Sequence, residues 1–470
     1  MIGVWFRRDL RVLDHPALTA AVQEAVRHGL PVRAVFVATP ETWDAHDRGP
    51  AWLRVLGRRL LALRNRLADL GIVLDVLTVA RFAEVPAALE AWCRAHHIHT
   101  LWAHHEYEWD ECQRDDAVQQ RLDIPFLRLH ERTLVTPGTV RNQSGEPYKV
   151  YTAFRRAWLQ VLSGQTLAVL PAPAPVGPPV SLDPLNLPDW ASGDTPVPDR
   201  PVDDDALLTA LETFANNRLA RYAVERDRPD LDSTSQLSPW LSIGALSARQ
   251  CLTAALEVFP DGLVNPQSPA FAWINELGWR DFYQHLIVAW PALVRGQPFQ
   301  VWTRRVAWRQ DEAAFSRWAE GRTGFPIVDA GMRQLRATGW MHNRVRMIVA
   351  SFLTKDLLIH WQAGERFFMR HLVDGDFAAN NGGWQWAAST GTDAQPYFRV
   401  FNPVTQGMRY DPEGEYVRRW VPELAGVPGK YAHTPLLWAE KRNMRLDYPA
   451  PMVDHKQARL QALEAFERAR

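Results

Sequence analysis

At 470 residues and 47% hydrophobic content, the chain is long enough to fill two packed cores. Lys+Arg and Asp+Glu are equal at 53 each, which excludes a global pull toward nucleic acid or an acidic membrane surface; any polyanion site has to be a local patch. Three scattered cysteines, Cys93, Cys112 and Cys251, exclude a disulfide framework and a C-x-x-C zinc site, and no apolar run reaches the roughly 18 residues of a membrane span, so a cytoplasmic protein is expected.

The N-terminus, MIGVWFRRDLRVLD, has apolar residues first and charges after, the reverse of a secretory signal. Ile2 to Phe6, Val32 to Ala38, Val73 to Val79 and Thr100 to Ala103 are short runs rich in β-branched and aromatic residues, the pattern of buried parallel strands. Pro16 to His28, Ala51 to Leu70 and Phe82 to His97 alternate with them and space their apolar residues by three and four. In the second of these, Leu53, Leu56, Leu60, Leu63 and Leu67 form one stripe and arginines fill the other face. The alternation predicts an open parallel α/β domain, Rossmann-like, over residues 1–130, although its first turn lacks G-x-G-x-x-G. Residues 131–203 read as an interdomain linker, with ten prolines between Pro171 and Pro201. Residues 204–470 read as an all-helical domain. Asp204 to Asn217, Ala245 to Phe259, Ala270 to Trp290, Phe325 to Arg336, Met341 to Trp361 and Glu365 to Val373 carry helical periodicity.

Four stretches of the helical half combine polar and aromatic residues. Ser233 to Ser247, STSQLSPWLSIGALS, clusters hydroxyls before an apolar helix with Pro239 in its first turn, an arrangement that suits either ordinary capping or a phosphate held by free N–H groups. In WINELGWR, helical spacing puts Trp273, Glu276 and Arg280 on one face with Trp279 beside them; the plainer alternative is a solvated i,i+4 ion pair. Asn343, Arg346 and Met347 share a face opposite the core stripe Val345, Ile348, Val349, Phe352 and Leu353. Val373 to Phe401 packs Asp374, Asp376, Asn380, Gly382, Gly383, Trp384 and Trp386 together. Buried acids need partners, so this mixture predicts a polar cavity with aromatic walls for a large, flat, polar-edged ligand, with Arg346 and Asp374 paired. His342 has no second ligand at metal spacing, and no Ser-His-Asp order or H-E-x-x-H stands out.

These motifs, with VWFRRDLRVLDHPAL, TGFPIVDAGMRQL and DGDFAANNGGWQWAASTGTDAQPYFRVFNP, resemble the photolyase and cryptochrome family over nearly the whole chain, closest to bacterial class I photolyases that repair cyclobutane pyrimidine dimers. The resemblance implies a folded FAD in the helical domain, active as the reduced anion. Tyr222, Thr234, Ser235, Gln236, Leu237 and Ser238 match its phosphate side, with Gln236 where the family usually has arginine. Trp273, Glu276, Arg280, Asn343, Arg346, Asp374, Asp376 and Asn380 match positions around the adenine and isoalloxazine. Asn380 stands where plant cryptochromes tend to have Asp and animal ones Cys. Glu276 and Asn343 match lesion contacts, Met347, Trp279 and Trp386 the apolar walls, and Arg226, Arg344 and Arg399 phosphate contacts. Trp384, Trp361 and Trp308 match an electron relay from surface to flavin. The expected partner is UV-damaged DNA, single- or double-stranded, bound by a monomer. His342 followed by Asn343, in place of a histidine pair, favours cyclobutane over (6-4) lesions. The alternative is a cryptochrome-like blue-light photoreceptor.

For an antenna in the α/β domain, His46, Asp110, Glu111 and Arg295 match folate contacts, but Asp110 and Arg295 replace the expected Asn and Lys. Methenyltetrahydrofolate, a flavin and no antenna all stay open.

Overall fold

The computed structural model describes every residue except 184, 185, 194 and 196. Four strands form where the apolar runs fall, β1 (Ile2–Phe6), β2 (Val32–Ala38), β3 (Val73–Thr78) and β4 (Thr100–His104). A fifth, β5 (Phe126–Leu129), completes an all-parallel sheet in the order β3-β2-β1-β4-β5. β1 is wholly buried, as a central strand covered on both faces must be. The polar sequence WDECQRDDAVQQR hides the helix Trp109–Arg121 from periodicity, because Glu111, Arg114 and Asp115 join Val118 on its buried face.

The chain leaves β1 toward β2 on one side and β4 on the other. That opens a crevice at the strands' carboxyl ends, where α/β sheets take up ligands. Here charged residues fill it. Arg8 donates to Glu106 at 2.7 Å and Glu108 at 2.6 Å, Arg114 to Glu106 at 2.8 Å, and Arg7 to Asp115 at 3.2 Å. Nearby, Asp9 lies 2.7 Å from His104 Nδ1 and 3.2 Å from His15 Nε2. The trio has the proximity of a metal site but not its chemistry. His15 Nδ1 and His104 Nε2 already accept the Leu18 and Ala17 N–H groups, so each ring's other nitrogen carries the proton; His104 shares its proton with Asp9, while His15 Nε2 lies near the same carboxylate without a hydrogen bond.

The two halves interlock. One hydrophobic core runs from β1 and the Pro50–Asp69 helix to Trp273 and Leu286, and a second gathers Trp318, Met341, Phe352, Trp361 and Trp384. Leu10 N–H donates to the Ile243 carbonyl at 3.2 Å. Gly244, at φ +67°, presses against the Arg8 backbone so closely that a Cβ would lie 2.1 Å from the Arg8 carbonyl.

Several expectations need correction. The arginine face of Pro50–Asp69 is not all solvated. Arg59 is fully buried and donates to the Leu10 and Val202 carbonyls at 2.6 Å and to Asp204, tying the sheet domain to the start of the helical one. Residues 131–203 contain the helix Tyr151–Ser163, whose Trp158 donates to Asp281 at 2.9 Å. Among the described residues, the stretch from 164 to 203 forms only the short turn Asp189–Ala191; Pro184 and Pro196 lie outside them. Met341 to Trp361 is not one helix. Asn343–Ser351 widens into a π turn at Phe352–Asp356, Leu358 takes φ +53°, and a new helix, Trp361–His371, begins. The apolar helix expected after Ser238 is the short Ser238–Ser242, and the longer helix Ala248–Val258 starts at a Ser247–Gln250 capping box.

Candidate functional site

The helices Pro269–Ala289, Asn343–Ser351 and Phe377–Ala388 each bury one face and leave another accessible inside the helical half. On Phe377–Ala388, Ala378, Asn381, Trp384 and Gln385 are buried, while Ala379, Asn380 and Gly383 are accessible. Glu276, Trp279 and Arg280 on the first helix, and Asn343, Arg346 and Met347 on the second, are likewise left accessible. A Cβ at Gly383 would meet nothing within 4 Å. A helix face made of alanine, asparagine and glycine leaves room for a flat ring.

Ion pairs fix this site. Arg346 donates to Asp374 Oδ2 at 2.8 Å, as the sequence led us to expect, and Ser238 Oγ donates to the same oxygen at 2.6 Å. Asp374 Oδ1 stays buried without a partner, as do Gln284 Oε1 and His342 Nε2. Asp376 caps Phe377–Ala388 by accepting the Ala379 N–H at 3.1 Å, and it receives Arg132. Burial alone would raise this carboxyl, but Arg132, Arg280 and Arg8 outweigh burial and hold it well below the usual carboxylate range. Arg132 also lies 3.7 Å from Glu108, so charge runs from Asp376 through Arg132 and Glu108 to Arg8.

Glu276 and Arg280 do not pair with each other. Arg280 donates to the Arg132 carbonyl, and Glu276 accepts from Arg226 at 2.6 Å. Desolvation raises the Glu276 carboxyl against the pull of Arg226. Arg344 pairs with Asp227 at 2.9 Å and lies over the Tyr410 ring at 4.6 Å. Trp279 stacks on Tyr151 at 3.7 Å beside a cavity of about 440 Å³ that Arg226 and Glu276 also line. Trp386 lies 6.4 Å from Phe401, and Arg399 is exposed next to the exposed Phe398. Asn380 donates to the Glu365 carbonyl at 2.9 Å, so one amide hydrogen is already committed. Tyr222, Leu237 and Trp273 are buried, while Thr234, Ser235 and Ser238 are partly accessible. Gln236 takes φ +53° and donates to Asp232 at 3.1 Å.

Trp384 and Trp361 are buried, and Trp308 is half-buried. Trp384 is held tightly, since a Cβ on Gly364 would lie 2.1 Å from its ring. In the α/β domain, His46 lies 3.0 Å from Asp110 and 4.0 Å from the buried Glu111, and Arg295 lies over the Trp109 ring at 5.9 Å. Burial and Glu108 raise the Glu111 carboxyl.

Sequence reasoning missed Arg132, Glu365 and His342's role as a cap. Arg132 sits in an unpatterned loop. His342 accepts the Arg344 N–H at 3.2 Å, and burial pushes it down to about 4, so it is a neutral helix cap. Glu365 is buried, accepts from Asn381 at 2.7 Å, and is pushed by burial up to about 7. A carboxyl raised on folding contributes stability that is full below its unfolded value of 4.5 and is lost as pH rises through about 7. Glu365→Gln keeps the acceptor and removes the titration. Chemical denaturation at pH 5 and pH 8 should therefore show the native protein losing on the order of 2 kcal/mol more than the variant across that interval; equal losses would contradict the assignment.

A parallel sheet whose ligand crevice is closed by charge, joined to helices around an accessible polar cleft, defines a two-domain cofactor-binding protein. The chain belongs to the DNA photolyase family. The family model for DNA photolyase matches residues 2–177, and that for the FAD binding domain of DNA photolyase matches residues 273–468. The deoxyribodipyrimidine photo-lyase of Salmonella typhimurium is 47% identical over 99% of this chain and 98% of that protein. A bacterial class III photolyase from Agrobacterium tumefaciens superposes with a TM-score of 0.86 at 34% identity, covering 100% of this chain and 97% of that one. A Synechocystis cryptochrome superposes with a TM-score of 0.85 at 28% identity, covering 99% of each, so the fold alone does not separate repair from signalling.

The site fits FAD. The small-residue face of Phe377–Ala388 admits a ring system, the orphaned Asp374 oxygen offers an acceptor, and Arg280 and Arg346 supply positive charge at its rim.

Proposed function

We propose that this chain splits cyclobutane pyrimidine dimers in DNA, using light. The observation that carries this reading is 47% identity over the length of the chain to a deoxyribodipyrimidine photo-lyase, and it is supported by the accessible helix faces that carry Glu276, Trp279, Asn343 and Met347. Bound and reduced, FAD supplies the photoexcited electron that opens the dimer and is then returned. Arg346, Arg280, Asp374, Asp376, Asn343 and Asn380 bind and orient it, with Thr234, Ser235, Gln236, Leu237, Ser238 and Tyr222 toward its phosphates and Trp273 behind. Glu276 hydrogen-bonds the lesion, where negative charge develops. Met347, Trp279 and Trp386 pack against its apolar faces.

The lesion is reached by flipping it out of the duplex, since a base inside the stack is closed to chemistry. Arg226, Arg344 and Arg399 take the flanking phosphates, and this local patch makes binding weaken with salt. Arg226 then exchanges Glu276 for phosphate, which frees Glu276 for the lesion. The signalling alternative has the shared fold in its favour, but Glu276 and Met347 beside the cleft have no use in it. His46, Asp110, Glu111 and Arg295 form a candidate antenna contact, for methenyltetrahydrofolate or a flavin. The chain is read as a monomer acting in the cytoplasm; its free cysteines suit the reducing compartment and do not bear on oligomeric state.

Glu276→Gln should leave the flavin spectrum unchanged and lower the dimers repaired per absorbed photon by on the order of tenfold. Steady illumination of pre-reduced enzyme with a dimer-containing oligonucleotide measures this. An unchanged yield would remove Glu276 from the reaction.

A further inference from the structure

The His360 ring packs against two of the tryptophans assigned to the relay. Its ring centroid is 5.3 Å from that of Trp308, at 64°, and 5.8 Å from that of Trp361, at 25°. The backbone enforces this position. The Arg309 N–H donates to the Leu358 carbonyl at 2.7 Å and Arg309 bridges Ile359 in parallel register, which pins the segment carrying Trp308 alongside the segment that leads into His360 and Trp361. His360 also caps the Trp361–His371 helix, with Nδ1 accepting the Gln362 N–H at 3.2 Å. That bond puts the ring proton on Nε2 and leaves a neutral imidazole facing both indoles. Burial, helped by Arg366, lowers its pKa and so favours the same neutral form. The far side of Trp308 is closed by Phe466, at 5.7 Å and nearly perpendicular.

We propose that His360 couples Trp361 to Trp308, its ring filling the space between the two indoles and setting how fast an electron vacancy crosses from the buried tryptophan to the half-buried one. This rests on the relay reading of Trp384, Trp361 and Trp308. In the step concerned, Trp308 gives one electron to oxidised Trp361, which becomes neutral, and Trp308 becomes a radical cation that then loses its indole N–H proton to water. His360 is unchanged. Electron tunnelling decays more steeply across solvent or empty space than through packed atoms, so a ring in the gap speeds the crossing. A neutral ring also adds no charge to oppose the vacancy.

Two substitutions separate the ring from the cap. His360→Asn keeps a capping oxygen and removes the ring; His360→Phe keeps a ring and removes the cap. Transient absorption on the FAD-loaded protein should show the Trp361-to-Trp308 step slowed several-fold, and the yield of long-lived Trp308 radical reduced, in His360→Asn, with His360→Phe close to native. Melting temperatures of the variants identify any loss caused by the cap, which a structural role would show most strongly in His360→Phe. A native transfer rate in His360→Asn, or equal slowing in both variants, overturns the proposal. Undiminished tryptophan-radical yield in Trp308→Phe would instead overturn the relay and this inference with it.

Discussion

Asp376→Asn should cost the protein about 3 kcal/mol of stability and most of its bound FAD. Asparagine keeps the cap on Phe377–Ala388, because its side-chain oxygen can still accept the Ala379 N–H. What it removes is the charge. Arg132 is buried, two of its nitrogens already lack partners, and its other carboxylate, Glu108, is 3.7 Å away. Arg280 beside it has its pKa lowered by burial and by Arg132, so two guanidiniums would share a pocket without their nearest counter-ion. Breaking one half of a buried pair is costly for that reason. The pH dependence has a definite sign. A carboxyl held below its ordinary value contributes stability present above its unfolded value and lost only as pH falls through the folded one, so in the native protein this contribution persists well into acid. Denaturation of the loaded protein, read together with flavin released per chain, tests the expectation; a variant with native stability and full flavin would contradict it.

Trp308→Phe should abolish photoreduction of oxidised FAD while leaving repair by chemically pre-reduced protein intact. Phenylalanine is far harder to oxidise than tryptophan, so an electron vacancy cannot reach the surface and returns to its origin. Trp384 and Trp361 are buried and have no direct route to an external reductant, whereas Trp308 is half-buried. Repair with reduced cofactor does not draw on this relay, because the electron given to the dimer comes back. Bleaching of the flavin absorbance under light with a thiol present, alongside a repair assay, separates the two. Loss of both, or of neither, would contradict the relay assignment.

The parts of the fold that were legible in the sequence are those in which packing follows a period. β1 to β4 show themselves as short continuous apolar runs, as strands buried on both faces do, and the stripe Leu56, Leu60, Leu63 and Leu67 because a helix buries a residue every three to four. The Trp109–Arg121 helix and Arg59 do not, and β5 is too short, with only Phe126 buried. The buried residues of that helix are mostly charged and, like Arg59, are satisfied by ion pairs and carbonyls that an apolar periodicity does not register. The break after Ser351 was hidden for a related reason, since the apolar pattern continues through a π turn whose ends are fixed by contacts to Arg309 and His455. In the site, helical spacing sorted Glu276 with Arg280 and Asn343 with Arg346 and Met347, and it anticipated the Arg346–Asp374 pair, but it also placed Trp273 on the Glu276 face, where the structure buries it. It could not supply Arg132, Glu365 or the exchange of Arg226 for Arg280 as the partner of Glu276, all of which depend on how helices meet. The acids expected to need partners in Val373 to Phe401 do find them, but their partners Arg132 and Ser238 lie outside that stretch, and Trp384 packs in the core rather than forming a cavity wall.

The most direct test is thymine absorbance recovered from a dimer-containing oligothymidylate mixed with the reduced protein. Recovery is expected under blue or near-UV light and not in darkness. Equal recovery in the dark, or none in the light from protein that carries reduced flavin, would contradict light-driven dimer splitting.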